Sequence, residues 1–249
     1  MSLNKVTTRQ IVMKQYQYKL KAYYQVFNSM VILQVIALLF STGGIMFRGG
    51  RGFGLDISLN TYTADMIIIF TFLWAFINAI TITTKAYRED DFIFVTNRQT
   101  QHLSNMLFLI TASVIGGVTA VLVGYLNDII FFFTTDPKTF AGYSELITPF
   151  DVLTGVVATS LYVLMFCAAG YLVGVIIQLN RIFTVIIPVL IIGFLIVGGQ
   201  TEGIPVNVRI YLFYVGETDV LLFMLKSLVT SALIFAGSFF LLRNKEVRV

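Results

Sequence analysis

Six apolar runs dominate this chain of 249 residues, at 26–47, 64–83, 106–133, 152–177, 182–199 and 220–242. A hydrocarbon core of about 30 Å takes roughly 20 helical residues to cross. Strands of a membrane barrel would be about half that length and would alternate polar with apolar residues, which these runs do not. The pattern predicts six transmembrane helices and an all-α integral membrane fold, organised as one transmembrane domain over 1–249. Ahead of the first run, a helix over 9–27 would put Val12, Tyr16, Leu20, Tyr23 and Phe27 on one face and Lys14, Gln17, Lys21 and Gln25 on the other. This predicts an amphipathic interfacial helix within 1–25, lying along the membrane before the chain turns inward. Arg9 and Lys19 fit its faces poorly, and a plain charged tail is the alternative.

Composition agrees with a lipid solvent. With 57% hydrophobic residues, 12% charged residues and a mean hydropathy of +0.84, the chain has too little polar surface for a water-soluble globule. One cysteine, Cys167, lies inside an apolar run, which leaves no intrachain disulfide and no cysteine metal site. The first residues, MSLNKVTTRQIVMKQ, lack the apolar core and small-residue cleavage site of a signal peptide, so the first run is expected to stay in the mature protein.

Basic residues set the orientation. With both ends inside, Lys5, Arg9, Lys14, Lys19, Lys21, Lys85, Arg88, Arg98, Arg181, Arg243, Lys245 and Arg248 are cytoplasmic, twelve of seventeen, against Arg48, Arg51, Lys138 and Arg209 outside. The remaining one, Lys226, falls within the last run. The expectation is a multi-pass membrane protein with both termini cytoplasmic. Its excess positive charge then faces anionic lipid headgroups and requires no nucleic-acid partner.

That orientation makes the segment KAYREDDFIFVTNRQTQHLSN, residues 85–105, a cytoplasmic loop. Its knob of Phe92, Ile93, Phe94 and Val95 is too short to span a membrane, and water is a poor place to leave it. Glu89, Asp90 and Asp91 form an acidic edge before it, and Arg98 follows it, an arrangement resembling the core and rim of a small protein interface. The alternative is a knob dipping into the lipid interface. Thr96 and Gln99 have capping-box spacing, so a helix is predicted to start there and run into the third span.

Candidate chemistry within the chain is sparse. There is no G-x-x-x-x-G-K-[ST] phosphate loop, since GGQTEG at 198–203 has neither the spacing nor the lysine. No H-E-x-x-H occurs, and a single histidine, His102, expected in the cytoplasmic loop near the membrane entry, cannot build a two-histidine metal site. These absences argue against a catalytic chain. Asp128, Asp151, Glu217 and Asp219 lie near the outer ends of runs. Lys226, about 10 Å deep, is a candidate for an outer gate or substrate path with Asp128, Asp151 and Asp219, or snorkels outward toward Asp219. Gly170 and Gly174 have the small-xxx-small spacing of close helix contact, within a chain or at a dimer seam. Asn28, Gln34 and Asn78 are isolated polar residues in apolar runs, of the kind neighbouring helices satisfy.

The layout resembles the permease subunits of type-2 ABC exporters: a basic interfacial helix, six spans, a coupling-type loop between spans two and three, and an external segment at 200–219 before the sixth. The run DDFIFVTNRQTQHLSNMLF, ending at Phe108, is similar to a segment of small ABC permeases of Gram-positive bacteria, among them exporters of phenol-soluble modulins and relatives that expel antimicrobial peptides or drugs. The resemblance implies a non-catalytic permease of a bacterial cell membrane that pairs with an identical or related permease and with separate P-loop ATPase subunits. ATP and Mg would be bound by those partners, and this chain would carry no cofactor. It implies that Phe92, Ile93, Phe94 and Val95 form the handle of a cytoplasmic coupling helix, that Glu89, Asp90, Asp91 and Arg98 guide its docking, and that 200–219 is re-entrant. Membrane lipid and an amphipathic peptide or hydrophobic substrate complete the implied partners. A rival class is an ATPase-independent membrane protein, such as a secondary transporter, channel or toxin-immunity protein. A coupled carrier would be expected to show midplane carboxylates and internal repeats, and neither is evident.

Overall fold

The computed structural model describes residues 7–43, 46–52, 55–61, 65–90, 97–134, 148–198, 206–217 and 219–243. Within them the chain is helical apart from one short hairpin. The order is α1 (Thr8–Ala22), α2 (Tyr24–Gly43), β1 (Met46–Gly52), β2 (Leu55–Thr61), α3 (Asp65–Thr81), α4 (Lys85–Asp90), α5 (Arg98–Thr134), α6 (Pro149–Leu179), α7 (Phe183–Gly198), α8 (Val206–Val215) and α9 (Val220–Arg243). Each of the six apolar runs contains a helix. Four of these, α2, α5, α6 and α9, are long and apolar enough to cross a membrane, which marks the chain as a membrane protein. The shorter apolar helices are α3, with 17 residues, and α7, with 16.

Local chemistry explains several boundaries. The first apolar helix stops at Gly43, short of the expected 47, because glycine favours a helix end. Met46 and Phe47 then belong to β1, which pairs antiparallel with β2 in a register that sets Met46 opposite Thr61 and Arg51 opposite Asp56. At the start of α6, Thr148 and Asp151 form a capping box and Pro149 occupies the first turn, where its missing N–H costs nothing. The start of α5 falls one residue later than the Thr96 cap predicts: Asn97 precedes the helix, its N–H donates to Thr100 Oγ1 (3.1 Å), and Thr96 lies outside the described residues.

The centre of the bundle is α6, against which α3, α5 and α9 pack, while α2 closes over α3 and α5. Small residues permit this. A Cβ on Gly117 would stand 2.6 Å from Ser160 Cα, so α5 and α6 approach backbone to backbone there. Gly170 faces the Phe76 carbonyl and Gly174 faces the Thr83 hydroxyl. Their spacing therefore serves contact between α6 and the end of α3 within one chain. The single tryptophan, Trp74, is 3% exposed, and its indole N–H lies 3.1 Å from both the Val26 carbonyl and Ser29 Oγ, joining α3 to α2. Met30, Phe108, Val163, Cys167, Tyr171 and Phe235 complete the same core. Gln34 donates to the Thr71 and Thr119 hydroxyls of neighbouring helices, whereas Asn78 donates to the Trp74 carbonyl of its own helix and Asn28 is exposed.

Candidate functional site

α5 has 37 residues, about 55 Å at 1.5 Å per residue, far more than a hydrocarbon core needs. The surplus is its polar first two turns, and there the other helices present their polar ends. A cavity of about 30 Å³ opens among Thr83 and Ile82 beyond α3, Arg88 of α4, Arg98, Gln101, His102 and Asn105 of α5, Tyr171 and Gln178 of α6, and Leu242 of α9. Gln178 is fastened at both ends of its amide, donating to the Thr83 carbonyl and accepting from Arg88 Nη1 at 3.4 Å.

His102 is not in an open loop as the sequence predicts. It is 2% exposed, its Nδ1 stands 2.9 Å from the Tyr171 hydroxyl, and its ring lies 5.4 Å from that of Phe239. It sits on the side of α5 that packs against Tyr171 of α6 and Phe239 of α9.

The N-terminal helix is shifted in the same way. Its fully buried line is Val12, Gln15, Lys19 and Tyr23, continued in α2 by Val26, Met30, Gln34, Ala37 and Ser41. Val12 and Tyr23 belong to the expected face, but Tyr16, Leu20 and Phe27 lie on its flank, half-buried, while Lys14, Gln17, Lys21 and Gln25 are exposed as expected. The axis of burial passes through Gln15 and Lys19 because α1 packs on α5, where Lys19 Nζ donates to Ser104 Oγ (2.8 Å) and to Asn105 Oδ1. Tyr16 and Thr111 hydroxyls meet at 2.8 Å on the same seam.

Beside this seam, α4 forms a ledge with no buried residue. Glu89 and Asp90 are exposed, and Glu89 pairs with Lys85 at 3.4 Å one turn earlier. Tyr87 anchors the ledge, its ring edge-on to Tyr23 with centroids 4.7 Å apart. Arg98 is the first residue of α5 and lines the cavity. Asp91, Phe92, Ile93, Phe94 and Val95 lie outside the described residues.

At the opposite end of the helices the charged residues have separate placements. Asp151 closes the capping box of α6, and Asp219 accepts from the Leu221 N–H (2.9 Å) at the start of α9. Lys226 pairs with Glu217, not with Asp219, and its ammonium lies 4.3 Å over the Phe213 ring. The Tyr214 and Thr230 hydroxyls, 2.9 Å apart, hold α8 to α9 beside it. Asp128 is half-buried near the end of α5. The segment expected to be re-entrant is described only from Val206, where α8 is one helix of 10 residues. Among the described residues no three His, Cys, Asp or Glu side chains converge as a metal site would require.

Sequence reasoning missed the roles of Gln15 and Lys19, which are buried, and of Arg88 and Gln178, which are half-buried. For the first two a signal was present: Val12, Gln15, Lys19, Tyr23 and Val26 keep helical spacing, and polarity alone removed two of them from the face. Comparison with protein families, curated proteins and solved structures finds no match.

Proposed function

We propose that this chain is the permease subunit of an ATP-driven exporter of the type-2 ABC class, with six spans, both termini cytoplasmic, and α4 with the loop that follows it as the element gripped by a separate ATPase. The observation that carries this reading is the α4 ledge. It buries nothing of its own and exposes Glu89 and Asp90, yet Tyr87 and Arg88 fasten it to α1 and α6. A partner pushing on such a ledge would move two helices of the bundle at once, which is what coupling requires. Arg98, at the start of α5, would guide the far side of the docked loop.

Two identical or related copies would enclose the path, and ATP and Mg would be held by the ATPase. The loop's resemblance to small Gram-positive permeases supports amphipathic peptides or other hydrophobic molecules as cargo. The Lys226–Glu217 pair stands where an outer gate would be.

The test is co-purification with the ATPase. Phe92→Ala with Phe94→Ala should lower ATPase recovery at every salt concentration, by about 2–4 kcal/mol of docking energy if the knob is a hot spot. Glu89→Lys with Asp90→Lys should slow assembly mainly at low salt, because exposed charges steer encounter and are screened. Full recovery of the ATPase and of its substrate-stimulated turnover by the double alanine variant would refute the assignment, as would ATP hydrolysis by the isolated chain.

A further inference from the structure

We propose that the cavity between Arg88 and Arg98 binds the phosphate of an anionic phospholipid headgroup. This goes beyond the export reading and requires no ATPase. Two arginines from separate elements, α4 and the start of α5, line one small space together with Gln101, Asn105 and Gln178. Guanidinium is the side chain best shaped to meet two phosphate oxygens at once. Both arginines are half-buried, so they reach the opening as well as the wall.

His102 supplies the second observation. His102 lines the same cavity, its Nδ1 2.9 Å from the Tyr171 hydroxyl, and its buried Nε2 makes no hydrogen bond. A buried ring nitrogen left unpaired is costly, and with the ring hydrogen on Nε2 a phosphate oxygen would satisfy it. About 30 Å³ admits roughly two water-sized groups, which matches the two charged oxygens of a phosphodiester.

A lipid rather than free phosphate is favoured by the remaining wall. Ile82 and Leu242 line the cavity beside its polar groups, and Phe240 and Leu241 next to Leu242 expose 62% and 38% of their surface. Glycerol and acyl chains would lie against the exposed apolar end of α9 while the phosphate enters between the arginines. The position, at the polar end of four apolar helices, is where a headgroup would be found.

The purified full-length chain in detergent tests this, with binding followed by native mass spectrometry and by the thermal unfolding midpoint read from Trp74 fluorescence. Added dioleoyl phosphatidylglycerol should bind about tenfold tighter than dioleoyl phosphatidylcholine and raise the midpoint, a comparison that needs no variant. Arg88→Gln with Arg98→Gln should remove that preference, while Arg209→Gln on α8 retains it. Equal binding of the two lipids by the unaltered chain would overturn the proposal, as would a preference kept within twofold by the double variant. Inorganic phosphate that raises the midpoint as far as phosphatidylglycerol, and leaves nothing for the lipid to add, would assign the cavity to free phosphate and refute the lipid.

Discussion

Gly117→Ala adds one methyl group where α5 meets α6. The new Cβ would lie 2.6 Å from Ser160 Cα and 2.7 Å from Ser160 N, and ordinary contact begins at 3.4 Å. The two helices would have to separate by about 0.8 Å, because both obstructing atoms are backbone and cannot rotate away. Forcing an extra methylene into a packed interior costs about 1–3 kcal/mol, and alanine recovers at most about 1 kcal/mol through helix propensity. The expected net loss is about 1–2 kcal/mol, roughly a 5- to 30-fold fall in the ratio of folded to unfolded protein. Gly155→Ala on α6 is the matched control, since nothing lies within 4 Å of its Cβ position. Trp74 reports the change directly: it is the only tryptophan, and a Cβ on neighbouring Gly116 would be 3.2 Å from its ring. Thermal unfolding in detergent, followed by that fluorescence, should rank Gly117→Ala well below Gly155→Ala. Equal midpoints for the two variants would show that the α5–α6 approach is not as close as described and refute the packing argument.

Lys226→Met should loosen α8 from α9, since it removes the partner of half-buried Glu217 and the cation over Phe213, and Glu217→Gln in the same chain should restore part of the loss. Protease sensitivity between 206 and 219 would measure both, and equal cleavage of all three proteins would defeat the idea. Asn105→Leu should destabilise the chain by about 1.5–3 kcal/mol, because the buried Lys19 amine loses one acceptor while Ser104 remains, and an unchanged unfolding midpoint would count against that bond.

The helical elements were legible because long apolar runs leave the backbone only one way to satisfy itself in lipid. Less legible was which face each helix buries. In water an apolar face marks the core, but in lipid both faces can be apolar, and polar residues mark the contacts between helices instead. Gln34, Thr71 and Thr119 meet inside the bundle for that reason, and so do Lys19, Ser104 and Asn105. Reading α1 by the rule for water placed its axis on Tyr16 and Leu20, half a turn or less from the line through Gln15 and Lys19 that packing selects. Glycine spacing exposed Gly170 and Gly174 but not Gly117, whose neighbour Gly116 reads as an ordinary pair in an apolar run. The cavity was invisible because its lining residues are drawn from five stretches between Ile82 and Leu242.

The exposure of α7 has a consequence for how this sequence is free to drift. Val185, Val189, Leu190, Ile192 and Ile196 are 57% to 68% exposed around the helix, and if α7 is one of the six proposed spans, the fluid hydrocarbon around it tests a side chain for oiliness and not for shape. Over generations these sites should exchange freely among valine, leucine, isoleucine and phenylalanine, while Gly117, Gly170 and Trp74 hold still. A line of α7 positions that refused such exchange, recurring every three or four residues, would trace the edge along which another protein has been leaning on it.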